Sequence, residues 1–164
     1  MIVDSHCHLN YGTLSEDIDG VLARAKEVGI GTMLAINARL SEYEDVLAIA
    51  EAHDHIYATV GSHPHEADVE RDIKVEDLIE KAQHKKVVGI GETGLDYYYD
   101  RAPRDRQQRN FIAHIEAARE TGLPLIVHTR DADDDCGRIM EEEMKKGAYP
   151  AVIHCFTATE ALAH

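Results

Sequence analysis

The sequence predicts an α/β fold, and within that class a TIM-type (β/α)8 barrel of which the 164 residues cover about six β/α units. Three observations lead there. Short, almost wholly apolar strands alternate with amphipathic helices, the pattern of a parallel sheet covered by helices. A polar residue with ligand or anchor chemistry stands at the C-terminal end of each strand: His6 and His8, Asn37, His63, Glu92, His128 and His154. An open doubly wound sheet serves its ligand from a few strand ends at a switch point, whereas a barrel brings all of them around one mouth. The count stops at six strands, against eight strands and ~250 residues for a typical barrel. The expectation is therefore a single barrel domain over residues 1–164, incomplete on its C-terminal side.

Ile2 and Val3 open the first strand, which ends at His8. Thr13-x-x-Glu16 is a capping box, followed by Ile18, Val21, Leu22, Ala25 and Val28 at helical spacing, with Gly29 as the stop. Ile30 to Ile36 is the second strand, and Ser41-x-x-Glu44 caps a helix running to about His53. Strand three, Ile56 to Val60, runs into Gly61-Ser62-His63-Pro64-His65. A helix from Val75 to about Gln83 turns Leu78 and Ile79 inward. Val87 to Gly91 is strand four, ending at Glu92 and followed by a polar loop. A helix of about Asp105 to Thr121 carries Phe111, Ile112 and Ile115 on one face and stops at Gly122. Leu123 to Val127 is strand five, Asp133 to Lys146 a helix with Ile139 and Met140 inward, and Ala151 to Ile153 strand six. Thr159 to His164 begins another helix.

Composition narrows the function classes. The net charge is −14, from 31 Asp plus Glu against 17 Lys plus Arg, the wrong sign for a broad basic nucleic-acid surface. A polyanionic substrate would need a local positive centre, which metal ions could supply. Cys7, Cys136 and Cys155 are odd in number and lack framework spacing, which points to free thiols in a reducing compartment. Neither a signal peptide nor a membrane span is visible, so the expected location is cytoplasmic, with no membrane partner.

The alternation Asp4, His6, His8 sets both imidazoles on one face of a strand, where they can grip a divalent metal, with Asp4 as an orienter or anchor. Glu92 ends an apolar strand among Gly89, Gly91 and Gly94, which let backbone crowd close. A carboxylate there can bridge two metals, or it can be a capping or salt-bridged group. His128 and His154 each end a buried strand. With His6, His8 and Glu92 they exceed one closed tetrahedral site and suit two metals with open positions. His63 and His65 flank Pro64 at the same mouth, where they contact a phosphate, polarise a leaving group, or serve the loop alone. Arg130 follows His128 closely and reads either as a phosphate fork or as a surface salt bridge. Arg101, Arg104, Arg106 and Arg109 form a basic cluster that tracks a backbone or is merely solvated. Tyr97, Tyr98 and Tyr99 either stack bases or pack. Cys7 and Cys155 point away from the ligands by strand parity and read as core.

Five stretches together carry a resemblance: Asp4-Ser5-His6-Cys7-His8-Leu9, Gly61-Ser62-His63-Pro64-His65, Gly91-Glu92-Thr93-Gly94-Leu95-Asp96-Tyr97, His128-Thr129-Arg130 and His154-Cys155-Phe156-Thr157. With them the chain resembles the TatD-type metal-dependent deoxyribonucleases, within the wider amidohydrolase-like barrels, from Asp4 to about Thr159. The resemblance implies a metal-dependent hydrolase barrel, a phosphodiesterase with 3′–5′ exonuclease action on single-stranded DNA or related substrates. It implies two divalent ions (Mg2+, Mn2+ or Zn2+) held by His6, His8, Glu92, His128 and His154. Glu92 and His63 are the catalytic candidates, and Arg130 and His65 the substrate contacts. Ala158 stands where the family usually has Gly, and the family's metal-binding Asp at the end of strand eight has no counterpart here. An amidohydrolase acting on an amide or ester is the competing enzyme reading; many of those bridge their metals with a modified Lys on strand four, where this chain has Glu92. The competing non-catalytic reading is an inactive metal-binding fragment. Open edges on the outer strands lead to an expectation of self-association.

Overall fold

The computed structural model describes residues 1–163. One sheet runs in the order β1 (Ile2–Cys7), β2 (Ile30–Ala35), β3 (Ile56–Val60), β4 (Val87–Asp96), β5 (Leu125–Arg130), β6 (Ala151–Ile153), every neighbouring pair parallel. Between β1 and β2 lie α1 (Gly12–Glu16) and α2 (Ile18–Glu27); the later connections carry α3 (Tyr43–Ala52), α4 (Val75–Ala82), α5 (Arg104–Thr121) and α6 (Asp133–Met144), and α7 (Glu160–Ala163) follows β6. Each crossover steps the same way, and right-handed crossovers then put all helices on one face. The sheet curls around the other face as a half-barrel.

The core is the layer between sheet and helices. Ala35, Ala58, Val60, Ile90, Leu125 and Val127 from the strands meet Val46, Ala50, Leu78, Phe111, Ile115 and Ile139 from the helices, all essentially buried. On the concave side Leu34, Ile126 and Val152 line a cavity below the strand ends. Ile126 and Val152 each precede a histidine by two residues, so strand alternation turns His128 and His154 into the same space. β1 and β6 are the two edges of the sheet, and Ile2, Val3 and Val152 on them are about half exposed, at 56%, 55% and 49%. No helix among the described residues is long and apolar enough to cross a membrane.

Several boundaries differ from the sequence expectation for identifiable reasons. The Thr13 box does not cap: α1 breaks at Asp17, whose carboxylate instead accepts from Gly20 N–H and caps α2, and Val28 is left exposed at 68%. Ser41 does not cap either. It lies in a 3-10 turn, Leu40–Glu42, whose free N–H groups at Leu40 and Ser41 are taken by the distant Glu70 carboxylate, both at 3.0 Å. β4 runs past Glu92 to Asp96, with a register irregularity between Ile90 and Thr93, and β5 continues through His128 to Arg130. Cys7 is half-buried as a donor to Leu34 O, but Cys155 is exposed: β6 ends at Ile153 and Cys155 has a φ of 46°, which breaks the alternation. The final turn covers Glu160–Ala163, and His164 lies outside the described residues.

Candidate metal centre

Five imidazoles converge on one carboxylate. Glu92, 3% exposed, has Oε2 at 3.2 Å from His6 Nε2 and 3.5 Å from His8 Nε2. Its Oε1 lies 2.7 Å from His154 Nε2, 3.3 Å from His128 Nδ1 and 3.6 Å from His63 Nε2. Strand alternation supplies His6 and His8 from β1, and β4 pushes Glu92 in beside them. Asn37 ties three strand ends together: its carbonyl accepts from Glu92 N–H at 2.9 Å, its Oδ1 from Gly61 N–H at 3.2 Å, and its N–H donates to Thr59 Oγ1 at 3.0 Å. It is a buried structural anchor. Asp4 anchors too, accepting from the His6 backbone N–H at 3.2 Å.

The donor set fits divalent ions. Nδ1 of His6 and Nδ1 of His8 are buried without a hydrogen-bond partner, an arrangement that costs free energy unless something else takes them. Two groups bring ligand atoms within 4.8 Å of one another: His6, His8 and Glu92, and His63, Glu92 and His128. The second group contains His63 where the resemblance places His154. His154 stays on Glu92 through its hydrogen bond and stacks on His6, ring centroids 3.8 Å apart. Burial alone would raise the Glu92 carboxyl, but hydrogen bonds from His128, His154 and His6 hold it far below the ordinary carboxylate range. Burial pushes His63 down to about 3 despite the Glu92 charge beside it, and lowers His8 as well. His128 moves up, because the Glu92 and Asp96 carboxylates outweigh its burial.

Hydrogen bonds fix which nitrogens face the centre. His128 Nε2 donates to Asp96 Oδ2 at 3.1 Å, which leaves Nδ1 toward Glu92. His63 Nδ1 accepts from His65 N–H at 3.2 Å, so its proton sits on Nε2, aimed at the Glu92 side. His65 Nε2 meets Asp96 Oδ2 at 2.8 Å. Asp96, fully buried, thus orients two of the histidines, the outer-shell role carboxylates play in metal sites. Its own position is set by Gln107, which accepts from Asp96 N–H at 2.8 Å, and by Tyr99 N–H on Oδ1 at 2.9 Å. The sequence puts Asp96 in a loop without a role. The signal was parity: Glu92 and Asp96 share a face once β4 continues. His114 is a second missed residue. Fully buried, and lowered to about 4 by that burial, it accepts Ser62 N–H on Nε2 at 3.0 Å and donates from Nδ1 to Asn110 O at 2.7 Å, bracing the loop before His63.

The cavity at this centre holds about 810 Å3 and is also lined by His65, Arg39 and Arg101. Arg39 is paired with Glu42 and Glu66, at 2.9 and 3.1 Å. Arg101 has no carboxylate partner among the described residues and lies 5.3 Å over the Tyr99 ring. The rest of the basic cluster is neutralised: Arg104 by Asp100, Arg106 by Asp68 and Arg109 by Asp105. Arg130 sits on the rim, its guanidinium 4.2 Å over Tyr98 and 4.8 Å over Tyr99. Lys86 is remote from the centre, its ammonium tied to the carbonyls of His53, Asp54 and Ile56.

A parallel β/α half-barrel with an imidazole-ringed carboxylate at its C-terminal strand ends is the layout of a barrel-type metal-dependent hydrolase. The chain belongs to the TatD-related DNase family, which residues 3–164 match. The protein named uncharacterized metal-dependent hydrolase YcfH of Escherichia coli (strain K12) is 42% identical over 159 residues, 95% of this chain and 59% of the relative. The protein named 3′-5′ ssDNA/RNA exonuclease TatD of Shigella flexneri serotype 5b is 32% identical over 156 residues, 95% of this chain and 60% of the relative. The crystal structure of YjjV, a TatD homologue from E. coli K12, matches with a TM-score of 0.88 at 28% identity, over 99% of this chain and 62% of that one. The chain therefore spans about 60% of the length of the relatives it matches.

Proposed function

We propose that the protein hydrolyses phosphodiester bonds in single-stranded DNA or a related nucleic acid from the 3′ end, with two divalent ions, Mg2+, Mn2+ or Zn2+. The observation that carries the reading is Glu92, a buried carboxylate with one oxygen toward His6 and His8 and the other toward His128 and His154. Such an arrangement suits a bridge between two ions, His6 and His8 holding one, His128 and His154 the other. When bound, the ions would supply Lewis-acid charge to the phosphate and make water acidic enough to attack it. The chain's own residues do the rest. Asp96 keeps the Nδ1 face of His128 toward the centre. His63 offers an Nε2–H donor for a phosphate or leaving-group oxygen, in the tautomer that His65 N–H on its Nδ1 sets. Arg101, free of carboxylates, adds positive charge at the mouth. His65 lines the same space as a substrate contact. The amidohydrolase reading is weaker, because a Lys bridge would need Lys85 or Lys86, and Lys86 is bound elsewhere.

A 5′-labelled single-stranded oligonucleotide tests this. In Mn2+ or Mg2+ the expected product is a ladder of 3′-shortened fragments that excess chelator abolishes and added metal restores. Undiminished cleavage in chelator, or turnover of amide substrates alone, sinks the reading. The half-exposed Ile2, Val3 and Val152 on the two sheet edges support self-association of the 164-residue chain. Sedimentation velocity should show dimers or larger species at micromolar concentration, and a clean monomer there contradicts it.

A further inference from the structure

A second cavity, of about 1160 Å3, opens beside the metal centre and shares His128 and His154 with it. One part of its lining is aromatic. Tyr98 is 57% exposed, and the Arg130 guanidinium carbon sits over its ring, 4.2 Å from the centroid. Tyr99 backs the pair: its ring stands at 89° to Tyr98, with centroids 4.8 Å apart, and its hydroxyl is 3.4 Å from Arg130 Nη1. The shelf is thus held in place without a ligand, yet keeps a ring open to the cavity.

Another stretch of its lining, Asp131 to Asp135, is acidic. Asp133 accepts Thr159 N–H at 2.7 Å, and Asp135 is taken up by Arg138 at 2.7 Å and the Tyr97 hydroxyl at 2.8 Å. Asp131 and Asp134 are exposed and have no cation partner among the described residues. Free carboxylates repel a phosphate, so this wall disfavours a polyanionic backbone. A nucleobase meets both walls. Its uncharged π face stacks on Tyr98 and the Arg130 plane, and its ring and exocyclic N–H groups have two carboxylates to donate to.

We propose that the Tyr98–Arg130 shelf with Asp131 and Asp134 is a nucleobase subsite, which takes the base of the nucleotide whose phosphate lies at the His–Glu centre. The placement of the phosphate rests on the phosphodiester reading above; the base site itself does not. Because the acidic wall disfavours a further phosphate beside the base, the nucleotide held there is the last of its strand. Arg130 then serves the base through its face and is not a phosphate fork.

The test is calorimetric titration of the 164-residue chain, loaded with Mn2+, with three probes: dAMP, adenosine and 2-deoxyribose 5-phosphate. Tyr98→Ala should weaken dAMP and adenosine by about tenfold each, as loss of a stacking ring does, and leave 2-deoxyribose 5-phosphate within about twofold. Tyr98→Phe, which keeps the ring, should bind all three as the parent does. The exposed position of Tyr98 makes both variants tolerable to the fold. Equal weakening of dAMP and 2-deoxyribose 5-phosphate in Tyr98→Ala, no weakening of either, or no binding of adenosine and dAMP to the parent would each overturn the subsite. If adenosine binds in a Tyr98-dependent way while 2-deoxyribose 5-phosphate does not bind at all, the subsite stands and the phosphodiester reading falls.

Discussion

Glu92→Gln should abolish tight metal binding at both ligand groups at once. Each site counts the same carboxylate, beside His6 and His8 in one and His128 and His154 in the other, and three protein ligands are the usual minimum of an open site. The amide is neutral and can present an NH2 to imidazoles that need an acceptor. It would face His154 at the 2.7 Å now occupied by a carboxylate oxygen. Loss of an outer-shell partner typically costs 10–100-fold in metal affinity, so loss of a shared inner ligand should cost more than about 100-fold. Calorimetric Zn2+ titration reads this directly, with far-UV circular dichroism as the check that the half-barrel persists. The single-histidine variants give the contrast. His6→Ala should remove one binding event and leave the one centred on His128, and His128→Ala the reverse. Tight binding retained by Glu92→Gln would show that the carboxylate is not a shared ligand. Loss of both events in His6→Ala would show that the two groups are not separate sites.

The metal centre was largely legible because its signals are local. An apolar run followed by His or Glu marks a buried strand and its mouth, and two histidines at a period of two share a face wherever that strand goes. The alternation of strand and helix was legible for the same reason. What escaped depended on partners distant in sequence. Gly91-Glu92-Thr93-Gly94 has weak strand propensity by itself, yet pairing with β5 carries β4 on to Asp96, and only that extension turns Asp96 toward His65 and His128. The two capping boxes failed for different reasons: Thr13 lies inside α1, while Asp17 caps α2 at Gly20 N–H, and Glu70 from thirty residues away takes the N–H groups of Leu40 and Ser41. The proton position on His63 was beyond sequence altogether, since one hydrogen bond from His65 N–H decides it.

Gly94→Ala should unfold the site from the backbone outward. Gly94 pairs with His128 across β4 and β5 and holds a φ of +135°, where a Cβ is strained in any surroundings. Here it also has no space. An added Cβ would lie 2.0 Å from the His128 carbonyl oxygen and 3.0 Å from its carbonyl carbon, both backbone atoms that cannot rotate away. The two strands would have to part at the point where one carries Glu92 and Asp96 and the other His128. Backbone strain alone costs about 1–3 kcal/mol; with the clash added, urea unfolding should report a loss of more than about 3 kcal/mol. Metal affinity should fall with it, although no ligand is altered. Gly122→Ala is the control. Gly122 ends α5 with a φ of +70° and has nothing within 4 Å of its would-be Cβ, so it carries only the conformational cost, about 1 kcal/mol. If the two substitutions destabilise equally, close approach of β4 to β5 is not what requires glycine at 94. If Gly94→Ala melts early yet binds Zn2+ as the parent does, the strand pairing is not what holds Glu92 and His128 in register.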